Sequence, residues 1–262
     1  MKTWIRFGNI HIQRRDLKAD NISVLRKLFL ILFIFLFLPL FLPAQDVLRG
    51  EVRIELEPTF GFYVDEEYPL DTEAAYRRAL QEAALFFSAQ IYGWSFHYDV
   101  GERARGIEEI FDLNPLGEIR WGDPRLYVTH AYFQNWELQT TAYRFASFLS
   151  AWMDYRPTDV QRRRLEMWQK GNIRPAQAVG YSDLGGSTEN PTWLSIKKNA
   201  LEDSARAAVR AMLQGSEKNR PKEVTGFISL ESFPSFYMSS GRQAAHARFR
   251  VEITEIIPFS AY

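Results

Sequence analysis

Residues 71–100 read DTEAAYRRALQEAALFFSAQIYGWSFHYDV, and this stretch decides the fold. Asp71 or Thr72 is suited to cap a helix, and Glu73 puts negative charge in its first turn. Ala75, Ala79, Ala83, Phe86 and Phe87 then form one broad apolar stripe on a helix running to about Tyr92. Gly93 is placed to end that helix in the left-handed region. Trp94 to Val100 follows as a strand rich in aromatic residues. A long alanine-rich helix feeding directly into a strand predicts an α+β protein, with helices laid on antiparallel sheets.

The flanking sequence extends this plan. Val52, Ile54 and Leu56 alternate with Arg53, Glu55 and Glu57, the period of a strand with one wet face. Residues 102–112 read as a short helix, and Asn114-Pro115-Leu116-Gly117 as a turn. Arg125 to Phe133 and Trp136 to Leu149 predict a hairpin about Gln134-Asn135. Pro157-Thr158-Asp159 opens a helix ending before Gly171, with Val160, Leu165 and Trp168 inward. Arg162-Arg163-Arg164 resembles a basic patch, but consecutive helical residues diverge by about 100° and read as a solvated face.

The second half repeats the order. Ala176 to Ser182 is a strand, Asp183 to Asn190 a polar loop, and Pro191 to Gln214 a helix capped by Asn190. Val224 to Leu230 and Ala247 to Ile257 complete it as strands. In the last, Ala247, Phe249, Val251 and Ile253 face one way and Arg248, Arg250, Glu252 and Thr254 the other, with Gly241 in the intervening turn. The two long helices share a local pattern. Arg78-Ala79-Leu80-Gln81-Glu82-Ala83-Ala84 matches Asn199-Ala200-Leu201-Glu202-Asp203-Ser204-Ala205, with Gly61-Phe62 before the first helix and Gly180-Tyr181 before the second. The reading is therefore two βαββ-like units and an internal duplication: 1–44 leader and signal, 45–156 first α+β unit, 157–172 linking helix, 173–262 second βαββ-like unit.

Ala178-Val179-Gly180-Tyr181, the polar loop, the Lys197 to Ala211 helix, Val224-Thr225-Gly226 and the final alternating strand carry a resemblance. They resemble the βαββ modules of bacterial envelope lipoproteins and the N-terminal domain of flagellar assembly protein T, over residues 174–257 and more faintly 50–150. The resemblance implies a non-catalytic envelope module used in assembly or scaffolding, with an envelope or flagellar-associated partner. No functional residue transfers, because the shared positions are packing positions.

The compartment is read from Leu28 to Leu42, LFLILFIFLFLPLFL, which follows Arg26 and Lys27 and precedes Pro43-Ala44-Gln45. A basic flank, an apolar run and a small residue make a secretory signal, with cleavage expected between Ala44 and Gln45. A run this short, interrupted by Pro39, is marginal for roughly 30 Å of hydrocarbon, so release to the periplasm is favoured over an inner-membrane anchor at residues 28–42. Residues 1–23 are polar with charges of both signs, which points to translation starting at Val24.

Composition narrows the function. The chain has no cysteine, which excludes disulfides, thiol nucleophiles and a lipid anchor on a cysteine. Residues 45–262 carry 25 Lys and Arg against 30 Asp and Glu, which disfavours nucleic acid. The same residues hold 32 aromatics, read chiefly as core filling with an exposed remainder around Tyr132, Trp136 and Tyr143 as the candidate interaction surface.

Catalytic motifs are incomplete. Gly180-Tyr181-Ser182-Asp183-Leu184-Gly185 approaches a nucleophile elbow, and Ser182, Asp203 and His246 follow the chain order of a hydrolase triad, but the second glycine falls one residue late. His97, His130 and His246 lack the i, i+4 ligand spacing of helical zinc sites. Asp65-Glu66-Glu67 offers adjacent acids, which a glycosidase would need on opposite sides of its bond. Neither a catalytic residue, a metal ligand nor a cofactor is assigned. The expectation is a non-enzymatic exported envelope protein that binds, scaffolds or assembles, with an exported hydrolase of glycans or esters as the alternative.

Overall fold

The computed structural model describes residues 47–57, 67–102, 105–136, 146–170, 172–183, 192–216 and 221–259. All fall in the compact unit Val47–Tyr262. The leader, the apolar tract and the Ala44–Gln45 cleavage site lie outside the described residues, as do Asp65, Glu66, Tyr143 and the Asn190 cap.

The fold is α+β, with three helices and nine strands in antiparallel sheets among the described residues. β1 (Leu48–Glu55) buries Val52 and Ile54 and exposes Glu51 and Arg53, as its alternation requires. It pairs with β5 (Ala146–Tyr155), which pairs with β4 (Leu126–Trp136), giving a three-stranded sheet ordered β1-β5-β4. The second sheet is ordered β3-β2-β7-β9-β6, from β2 (Trp94–Asp99), β3 (Ile110–Pro115), β6 (Arg174–Tyr181), β7 (Pro221–Leu230) and β9 (Arg242–Pro258). β8 (Ser235–Ser239) pairs with the start of β9 through a two-residue turn, Ser240-Gly241, whose φ values of 51° and 75° are both positive. That combination is the hairpin turn whose twist suits antiparallel strands.

α1 (Thr72–Ile91) starts as read: the Asp71 side chain accepts from the Ala74 N–H at 2.7 Å. Gly93, at φ 66°, ends it. Ala75, Ala79 and Ala83 are fully buried, so the helix backbone lies close to its neighbours, and Phe86 and Phe87 fill the wider space beyond. α1 packs on β1 and β5 of one sheet and β7 of the other, making it the layer common to both. α2 (Asp159–Met167) carries a capping box between Thr158 and Gln161. The Gln161 amide donates to the hydroxyls of Tyr92 and Tyr155, and Trp168 Nε1 donates to the Ile91 carbonyl, which docks α2 on the end of α1. α3 (Trp193–Ser216) opens with reciprocal bonds between Thr192 and Ser195 and packs on β6 and β9.

Three expectations are corrected. Residues 110–115 are strand β3, not part of a helix, because Phe111 and Leu113 alternate toward the core from an exposed edge; Asn114 and Pro115 belong to it and not to a turn. Gln134 and Asn135 sit inside β4 opposite Phe148 and Ser147, so the hairpin connection lies beyond Trp136. Val160 is 68% exposed, because α2 turns Gln161, Leu165 and Trp168 inward instead. β2, within residues 45–156, pairs with β7, within residues 173–262. Both faces of the paired helix motif bury their alanines, yet α1 touches both sheets while α3 lies on β6 and β9. Gly180 brings the backbone of α3 so close to β6 that a methyl there would overlap Asp203 and Ser204, and Ser204 Oγ donates to the Ala178 carbonyl.

Candidate functional site

In both sheets an edge strand opens onto the same space. Among the described residues β1 pairs only with β5, and β8 only with β9. Between Glu51–Glu55 of β1 and Pro234–Tyr237 lies a cleft of about 610 Å³. Its floor is Arg78, Glu82 and Phe86 from α1 with Trp193 and Lys197 from α3; Tyr132, Gln134, Phe148 and Ser150 extend the β1 wall. Phe233 packs against Gly50 of β1, where an added side chain would meet the Phe233 ring.

The β1 wall is a ladder set by register. Arg53 and Tyr132 both lie opposite Ser150, and Glu55 and Gln134 both lie opposite Phe148. The Arg53 guanidinium carbon stands 4.4 Å from the Phe148 ring centroid. Such a cation over an aromatic face fixes a long side chain that would otherwise wander.

The floor holds a buried ion pair. Lys197 Nζ donates to both oxygens of Glu82 at 2.7 and 2.8 Å, with the side chains 12% and 2% exposed. Burial pushes the Glu82 carboxyl above the usual carboxylate range, against the opposing pull of Lys197 and Arg78. Arg78 is itself buried, donates to the Tyr68 hydroxyl at 2.7 Å, and lies 5.2 and 5.1 Å from the Tyr68 and Trp193 rings. Lys197 lies 5.1 Å from the Phe236 ring. Behind them Phe86 stacks on Phe236 and meets Phe233 edge-on. The cleft therefore offers charges of both signs at its base, aromatic faces at its sides, and backbone groups of two strand edges along its rims.

Of the expected interaction surface, Tyr132 is 43% exposed and lines this cleft. Trp136 ends β4, with its side chain outside the described residues. The triad-like residues are engaged elsewhere. Ser182 is buried and its Oγ accepts from the Gln243 N–H at 3.1 Å; Asp203 accepts from the Tyr181 N–H and pairs with Arg206. His246 is exposed on β9, and among the described residues no hydrogen bond or ion pair joins the three. Arg78, Glu82 and Lys197 escaped sequence reasoning, although one signal was present: Glu82 falls at helical spacing between Ala79 and Phe86, on the apolar stripe. Among the described residues, no helix is long and apolar enough to cross a membrane.

A protein-family model matches residues 41–259. An uncharacterized protein of Treponema pallidum (strain Nichols) is 25% identical over 187 residues, 71% of this chain and 71% of that protein. No solved structure matches the chain.

Proposed function

We propose that this chain, which belongs to the family whose model spans residues 41–259, is an exported, non-enzymatic binding module that takes an extended segment of an envelope protein into its cleft. The observation that carries the reading is that two strand edges, β1 and β8, without a further strand partner among the described residues, line one cleft. An unpaired edge presents N–H and C=O groups that a further strand can satisfy, and strand addition is a recurring way of binding peptides. Five residues of β1 face the cleft, a length of about 17 Å in an extended chain. Side chains of such a segment would alternate between the Arg53–Phe148–Tyr132 surface and the Trp193–Phe236 surface over the Lys197–Glu82 pair. The volume falls within the range of ligand sites, about 300–1,000 Å³.

Export is part of the proposal, and it rests on Arg26, Lys27, the Leu28–Leu42 tract and Ala44, with the absence of cysteine ruling out a cysteine-borne lipid anchor. The resemblance to envelope and flagellar modules supplies the class of partner. Selection of displayed heptapeptides on the immobilised protein tests the reading. Enriched sequences should lack proline, and N-methylation at any residue of the inserted stretch should weaken binding, since successive amides face alternate rims and each meets a partner there. No enrichment, or tolerance of N-methylation throughout, overturns it.

A further inference from the structure

We propose that His97, Asp99 and Glu223 form a site for a divalent transition-metal ion on the open face of the six-stranded sheet. His97 and Asp99 are two residues apart on β2 and so project from the same face. Glu223 lies directly opposite Asp99 on β7. One donor atom from each of the three lies within 4.8 Å of the others. The imidazole stands between the acids, with Nε2 3.5 Å from Asp99 Oδ1 and Nδ1 3.5 Å from Glu223 Oε1. Donors bound at about 2.0–2.2 Å to one tetrahedral ion are separated by about 3.3 Å, so small rotations of these half-exposed side chains assemble the site.

The charge pattern supports the same assignment. Most paired acids in this protein have a basic partner: Glu82 has Lys197, Glu109 has Arg210, Asp123 has Arg125, and Asp154 has Arg49. Among the described residues Asp99 and Glu223 have neither Lys nor Arg, and face His97 alone. The register adds Asp112 of β3 directly opposite His97 on its other side. Two carboxylates and a neutral imidazole match the charge of a divalent cation. One nitrogen among oxygen donors suits Zn²⁺ or Mn²⁺, whereas Ca²⁺ and Mg²⁺ take oxygen ligands. The three side chains cover one side of the ion and leave the solvent side for water. Bound there, the ion ties β2 to β7, the pairing that joins the first half of the chain to the second. The sequence conceals this site because the ligands share a strand pair and not a helix.

The test is calorimetric titration of ZnCl₂ into the untagged protein, purified as the cell processes it and stripped with EDTA. We expect one equivalent bound, with affinity reduced at least about tenfold in both His97→Ala and the isosteric Glu223→Gln. His130→Ala and His246→Ala should bind as the wild type does, and CaCl₂ should not bind at this site. Absence of binding to the wild type, undiminished binding in folded Glu223→Gln, or loss in His130→Ala or His246→Ala instead would overturn the proposal. Circular dichroism confirms that each variant is folded.

Discussion

Lys197 of α3 donates to both carboxylate oxygens of Glu82 of α1, across 115 residues of sequence, at the floor of the cleft. The pair joins the helix shared by both sheets to the helix that belongs to β6 and β9. Its position makes it a structural fixture as well as the charged base of the cleft. Breaking it leaves one charge buried without its partner, which costs far more than the pair itself contributes.

Lys197→Met should therefore destabilise the fold by about 3–5 kcal/mol. The double variant Lys197→Met with Glu82→Leu should recover most of that loss, because no charge is then stranded. Urea denaturation of the three proteins measures both effects. A double variant as unstable as the single one would show that packing, not charge, is what Lys197 supplies.

The approach of α3 to β6 is tested at Gly180. A methyl group there meets backbone on Asp203 and Ser204, which cannot swing aside. Gly180→Ala should cost about 1–3 kcal/mol. Gly122, with open space where a side chain would project, is the control, and Gly122→Ala should change stability by no more than about 0.5 kcal/mol.

Glu109 predicts an acid dependence. Burial raises its carboxyl, but hydrogen bonds from the Tyr98 hydroxyl and Arg210, with Arg210's charge, outweigh burial and hold it below the usual range. A depressed folded value means that this stabilisation is present above the unfolded value of about 4.3 and is lost as pH falls through the folded one. Arg210 is 44% exposed, so solvent screening keeps the effect to no more than about 1 kcal/mol. Below pH 4.3 the stability gap between wild type and Glu109→Gln should shrink; a gap that widens on acidification would contradict this.

The proposed export predicts that N-terminal sequencing of the mature protein begins at Gln45. A mature chain that retains residues 28–42 would mean instead an anchored protein, with the same fold held at the membrane.

Much of the architecture was legible because local rules and tertiary demands agree there. Asp71, the alanine stripe and Gly93 mark α1 at both ends, and the alternation of Val52 and Ile54 or of Phe249 and Val251 marks strands with one buried face. β3 was hidden because Asp112, Asn114 and Pro115 dilute its alternation, as is usual at an exposed edge. β8, with only partly covered apolar residues, left no clean period either. The cleft was less legible still. Its floor uses Arg78, Glu82 and Lys197, ordinary surface residues of a helix until the second helix is known to lie beside the first. Tyr132, singled out for its aromatic surroundings, lines the cleft, whereas the strand edges along its rims belong to pairing, which sequence periodicity does not record.

Amide hydrogen exchange with a selected peptide bound tests the central claim most directly. Residues 51–55 of β1 and 235–237 of β8 should both gain protection, while the outer strands β3, β4 and β6 should not change. Binding that leaves the amides of β1 and β8 exchanging at their unbound rates, or that protects β3, β4 or β6 in their place, would contradict insertion of a strand between the two sheets.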